Sequence, residues 1–196
     1  MYIVSFPKSG TTWVQVILYN LLTEGNMDFN HIYDVSPWPS NQAFNGESPE
    51  KINQMPSPRI LKSHDSYDRF DEKARNKIIF VYRDGKDVAV SLYHHNKDYL
   101  DSNLTFDSNF ESYFMIDKNG INYFKFMNTW FLNKNKLNIL YISYEDLKSN
   151  FDSTVQKIAV FLNVDLTEPI LSRVKQHSSF DFMKKNESKL EKFHLI

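Results

Sequence analysis

The sequence predicts an α/β domain of three layers, a central and mostly parallel sheet with flanking helices. Three observations carry that expectation. Short apolar runs alternate along the chain with stretches of helical spacing. The strongest of those runs is continuously apolar, as strands covered on both faces are. No repeat, low-complexity tract or linker divides the 196 residues, so one domain over residues 1–196 is expected.

The elements follow in order. Tyr2-Ile3-Val4-Ser5-Phe6 is apolar and β-prone, and Pro7 to Gly10 breaks it. Val14, Ile17, Leu18, Leu21 and Leu22 then share one helical face, with Gly25 placed to end that helix. Residues 26–58 carry Pro37, Pro39, Pro49, Pro56 and Pro58, which predicts a long irregular segment suited to the wall of a substrate site. Arg59-Ile60-Leu61-Lys62 predicts a short strand and Ile78-Ile79-Phe80-Val81-Tyr82 a stronger one. Gly85 to Tyr99 predicts a helix with Val88, Ala89, Leu92 and Tyr93 on one face. Tyr123, Phe126, Met127, Trp130 and Phe131 form a helical core stripe, and Ile139 to Ile142 a strand. Asp152 or Ser153 caps a helix whose face is Val155, Ile158, Ala159 and Leu162. Lys184 to Lys192, alternating Lys and Glu, predicts a solvated surface helix.

Composition excludes several classes of function. Basic residues number 23 and acidic 24, a net charge of −1, so no long-range field draws the chain to nucleic acid or to an anionic membrane. The lack of cysteine rules out disulfides, thiol catalysis and cysteine metal sites. No run reaches the ~18 apolar residues of a membrane span. Met1 to Phe6 has no basic region of a signal peptide, so a cytoplasmic chain is expected.

The chemistry concentrates after strands. Lys8, Ser9, Gly10, Thr11, Thr12 and Trp13 sit between the first strand and the first helix. A helix N-terminus offers N–H groups to an anion, glycine permits close approach, and lysine and three hydroxyls add donors. The lysine precedes the glycine, so this is not the G-x-x-x-x-G-K-[ST] loop of NTPases. No apolar strand ends in a metal-binding Asp either, which argues against a Mg²⁺-dependent kinase of small substrates.

Pro7-Lys8-Ser9-Gly10-Thr11-Thr12-Trp13 resembles the 5′-phosphosulfate-binding loop of the cytosolic sulfotransferases, whose donor is 3′-phosphoadenosine 5′-phosphosulfate (PAPS). The resemblance implies a P-loop NTPase-like sulfotransferase fold with no metal, adenosine 3′,5′-bisphosphate (PAP) as product, and a small-molecule alcohol, phenol or amine as acceptor. Tyr82-Arg83-Asp84-Gly85-Lys86-Asp87-Val88-Ala89-Val90-Ser91 resembles the family's 3′-phosphate signature, which carries phosphate contacts onto Arg83 and Ser91. Lys62-Ser63-His64 resembles its lysine–x–histidine element, implying His64 as catalytic base, with Lys8 and Lys62 stabilising charge on the bridging oxygen. The family continues that element with Leu-Pro; this chain has Asp65-Ser66. His94 and His95 are less favoured bases, on the acceptor side. Ile139 to Leu147 resembles the segment that brings Tyr144 to the adenine, where Trp13 would also sit. His177 to Lys184 resembles the segment bordering the nucleotide, which implies Ser178 and Phe180. The family's closing Arg-Lys-Gly loop has no counterpart before Ile196, so either a truncated chain or a reduced family member is expected, and a non-catalytic module for PAPS or PAP is the alternative.

Overall fold

The computed structural model describes residues 1–41, 48–74, 76–116 and 122–190. Strand β1 (Tyr2–Ser5) leads into helix α1 (Thr11–Leu22), then α2 (Ile32–Val35) and α3 (Pro49–Gln54). Strand β2 (Leu61–Ser63), strand β3 (Lys77–Tyr82) and helix α4 (Gly85–Tyr99) follow. Helix α5 (Phe106–Phe110) runs into a π turn at Glu111–Met115, and α6 (Tyr123–Leu132) precedes β4 (Asn138–Ser143). The rest is helical: α7 (Tyr144–Ser149), α8 (Phe151–Leu162), α9 (Glu168–His177), α10 (Phe180–Lys185) and α11 (Glu187–Leu190).

The four described strands are parallel in the order β2-β1-β3-β4. Val4 pairs with Ser63 on one side and Phe80 on the other. The chain leaves β1 for one neighbour and then crosses to the other, so the order switches beside β1. The crevice outside the carboxyl ends of the strands at such a switch is where open α/β sheets bind ligands.

Residue parity along the strands builds the layers. Ile3, Ile79, Val81 and Ile142 face a core shared with Val14, Ile17, Leu18 and Leu21 of α1, Val155 and Ile158 of α8, and Val174 of α9. Val4, Phe6, Ile78 and Phe80 face the opposite core, with Val88, Ala89 and Leu92 of α4 and Phe126 and Trp130 of α6. Successive strand side chains point to opposite faces, so both cores fill from the same short runs.

The fold adjusts several sequence expectations. β2 begins at Leu61 rather than Arg59, because the Arg59 carbonyl accepts from the Met1 ammonium at 2.8 Å and pairing with β1 starts only beyond it. Within residues 26–58, expected to be irregular, α2 and α3 are helical; residues 42–47 lie outside the described residues. The N-cap of α8 is Asn150, not Asp152 or Ser153. The Ser153 and Thr154 hydroxyls both donate back to the Asn150 carbonyl, which makes them first-turn residues. The tail is not simply solvated: Leu190 is buried against Val16, Phe29 and Ile32, while residues 191–196 lie outside the described residues.

Candidate active site

The loop after β1 is wound tightly. Lys8 and Gly10 both take left-handed backbone, at φ 65 and 95. Gly10 is the N-cap of α1 and provides no side-chain cap, so the first-turn N–H groups open toward the loop. Ser5 and Thr11 share a hydroxyl hydrogen bond of 2.5 Å beneath it. Ser9 is buried, and its Oγ has no hydrogen-bond partner among the described residues. A Cβ at Gly10 would lie 2.7 Å from Tyr144 Cδ2, on a backbone that side chains rarely adopt. Gly10→Ala is therefore expected to cost about 1–3 kcal/mol of stability. Urea denaturation checks this; an unchanged midpoint would mean that Tyr144 yields without cost.

Arg83 meets the loop from the end of β3. Its Nη1 donates to the Lys8 carbonyl at 3.1 Å. The guanidinium lies 4.4 Å from the Tyr144 ring centroid, a cation–π stack. Nη2 stands 3.7 Å from Asp87, and Nε is buried with no hydrogen-bond partner among the described residues. The Tyr123 hydroxyl donates to the Arg83 carbonyl at 2.8 Å, and Glu145 accepts from the Asp84 N–H at 3.0 Å. The turn that carries Arg83 is thus fixed from two sides. Ser91 lies half-buried on α4, one turn before His95, and no hydrogen bond joins it to Arg83 among the described residues.

β2 delivers Lys62 and His64. Lys62 is only 8% exposed; its Nζ donates to the Tyr33 hydroxyl at 3.1 Å and lies 4.5 Å from the Trp38 ring. The Ser5 carbonyl can only accept, so His64 Nδ1, 2.7 Å away, carries a proton. In the neutral ring Nε2 then keeps its lone pair. Trp38 packs edge-on against the His64 ring at 4.7 Å. The ring keeps a partly exposed edge, yet burial above all, with the cations of Lys62 and Lys8, pushes its pKa down to about 3. The hydrogen bond to Ser5 opposes that shift but does not overcome it.

Lys8 points to α4, where its Nζ lies 3.4 Å from His95 Nδ1. Burial, then Lys8 and Lys62, lower the His95 pKa to about 4. Trp13 donates from its indole nitrogen to the Ser178 carbonyl at 2.8 Å and meets Tyr144 edge-on at 5.5 Å. The Ser178 hydroxyl turns inward to the Val174 carbonyl, at 2.5 Å. Phe180 is 78% exposed.

Lys8, Lys62, His64, Arg83, Tyr144 and Trp13 thus converge at the carboxyl edge of the sheet. Ser178 approaches through its backbone, and Phe180 stands out in solvent. Sequence reasoning missed Tyr33 and Trp38 as neighbours of Lys62 and His64; the proline-rich wall segment was the only signal for them. Among the described residues no group of three or more His, Cys, Asp or Glu is placed to hold a metal ion.

Known proteins are similar to this chain in sequence and fold. A sulfotransferase domain model matches residues 1–193. The chain is 31% identical over 189 residues to the amine sulfotransferase of Oryctolagus cuniculus, covering 94% of this chain and 62% of that protein. It is 33% identical over 196 residues to sulfotransferase 1B1 of Mus musculus, covering 94% and 65%. The chain therefore spans under two thirds of the length of these relatives. The crystal structure of mouse sulfotransferase SULT7A1 complexed with PAP superimposes with a TM-score of 0.77 at 27% identity, over 95% of this chain and 66% of that one. Retinol dehydratase in a complex with retinol and PAP shares the fold at a TM-score of 0.78 and 20% identity, over 96% and 67%. A match running nearly end to end is more than a borrowed loop, and the chain belongs to the sulfotransferase family.

Proposed function

We propose that this chain moves a sulfonate from PAPS to a hydroxyl or amine of a small-molecule acceptor. One observation carries the reading. Among the described residues, Ser9 Oγ in the loop after β1 and Arg83 Nε at the end of β3 are both buried with no hydrogen-bond partner. A buried donor left unmatched is costly, so each is suited to an anion that arrives with the ligand. PAPS offers an anion for each, a phosphosulfate at one end and a 3′-phosphate at the other. The relatives' names support the same chemistry, and SULT7A1 was crystallised with PAP.

The chain's own residues have distinct tasks. The loop from Lys8 to Thr12 holds the phosphosulfate, while Arg83, with Ser91, holds the 3′-phosphate. Trp13 and Tyr144 flank the adenine, and Ser178 and Phe180 border the nucleotide. His64 Nε2 takes the acceptor proton as the acceptor's oxygen or nitrogen bonds to sulfur. The sulfur–oxygen bond to the 5′-phosphate breaks, and Lys8 and Lys62 stabilise the charge left on that oxygen as PAP departs. Alignment of both substrates supplies much of the rate.

Lys8→Ala is expected to lower turnover far more than affinity for PAP, which lacks the sulfonate. Calorimetry with PAP and transfer from labelled PAPS to a mixed panel of alcohols, phenols and amines test both. Absent PAP binding would end the reading, and PAP binding without transfer to any acceptor would leave a binding module. Equal losses in binding and turnover would reduce Lys8 to an anchor.

A further inference from the structure

We propose that His95 is a positioning residue that holds the Lys8 ammonium through its Nδ1. The proposal deepens the transferase reading and rests on it for its consequence in turnover, though not for the contact itself.

An ammonium has donors and no lone pair, so at the 3.4 Å contact Nδ1 must accept. His95 is then a neutral ring protonated on Nε2. Its surroundings agree, because burial and the two nearby lysines all disfavour the imidazolium, against the weaker pull of Asp98. Lys8 is thereby held at both ends by one rigid unit. Its backbone carbonyl is gripped by Arg83 at the close of β3, and its side-chain tip by His95 in the third turn of α4. The left-handed backbone of Lys8 fixes the direction in which the stem leaves the loop. A lysine has a flexible stem, and an ammonium that is placed in advance reorganises less as charge develops beside it.

The test compares wild type with His95→Phe, which keeps a ring but no acceptor, and His95→Asn, whose carboxamide oxygen can accept where Nδ1 did. Lys8→Ala identifies the Lys8 ammonium resonance in ¹⁵N NMR of the unliganded protein. That resonance is expected in wild type and in His95→Asn and absent in His95→Phe. With PAPS and an acceptor, His95→Phe is expected to lose about 10- to 100-fold in kcat with little change in KM for PAPS. His95→Asn should recover most of that loss, and His95→Phe should have no further effect in a Lys8→Ala background. The proposal is overturned if the Lys8 resonance is missing in wild type or survives His95→Phe. It is equally overturned if the Asn and Phe variants lose kcat alike. An intact Lys8 signal that responds to His95 as stated, in a wild type that transfers nothing, would confirm the hold and strike the transferase reading alone.

Discussion

His64→Ala is expected to lower turnover by about 10²–10⁴-fold and to leave PAP binding intact. Its Nδ1 proton is committed to the Ser5 carbonyl, so Nε2 is the nitrogen left to take a proton. The low pKa, about 3 against an ordinary 6.5, keeps that nitrogen unprotonated through the physiological range. In the protein without nucleotide, an NMR titration should find the His64 imidazole neutral well below pH 6; a midpoint near 6.5 would contradict the site as described. The same shift has a sign for stability. The unfolded chain binds this proton more readily than the folded one, so the contribution is present above pH 6.5 and is lost as pH falls toward 3. His64→Gln should flatten that acid limb. If His64→Ala leaves turnover near wild type, another group is the base.

Arg83→Ala has the second large effect. It deletes the hydrogen bond to the Lys8 carbonyl, the stack on Tyr144 and the buried Nε donor together. PAP affinity is expected to fall about 10²–10³-fold, the range for losing one partner of a buried charged pair. The unliganded protein should also melt earlier, because two loops lose their common tie. Arg83→Lys should not rescue, since an ammonium can neither stack nor fork in the same way. Calorimetry decides: a loss under about tenfold, or full rescue by lysine, would remove Arg83 from the 3′-phosphate site.

The parts of this molecule that were legible in the sequence are those set by local pattern. β1, β3 and β4 are short apolar runs; the loop residues, His64 and Arg83 sit just past strand ends, and Lys62 lies inside β2. The partners of those residues were not legible, because they come from afar. Lys62 and Tyr33 are 29 residues apart, and Lys8 and His95 are 87. α9 carries its helical pattern on three apolar residues, Ile170, Leu171 and Val174, of which only Val174 is buried. The expected capping of α8 went astray because Asn150 lies a few residues before the apolar face it serves. Ser178 shows a further kind of blindness. The family resemblance implies Ser178 at the nucleotide; its contact with Trp13 runs through the backbone carbonyl, which no side-chain motif shows.

That carbonyl sets a timetable. The group that fixes the Trp13 indole is synthesised 165 residues after it. At ordinary speeds of translation the gap lasts roughly 8–33 s. Throughout it the Trp13 indole lacks its acceptor. On the proposed role of Trp13 at the adenine, ligand competence waits until α9 docks on α1, and a nascent chain stalled before Ser178 is expected not to bind PAP.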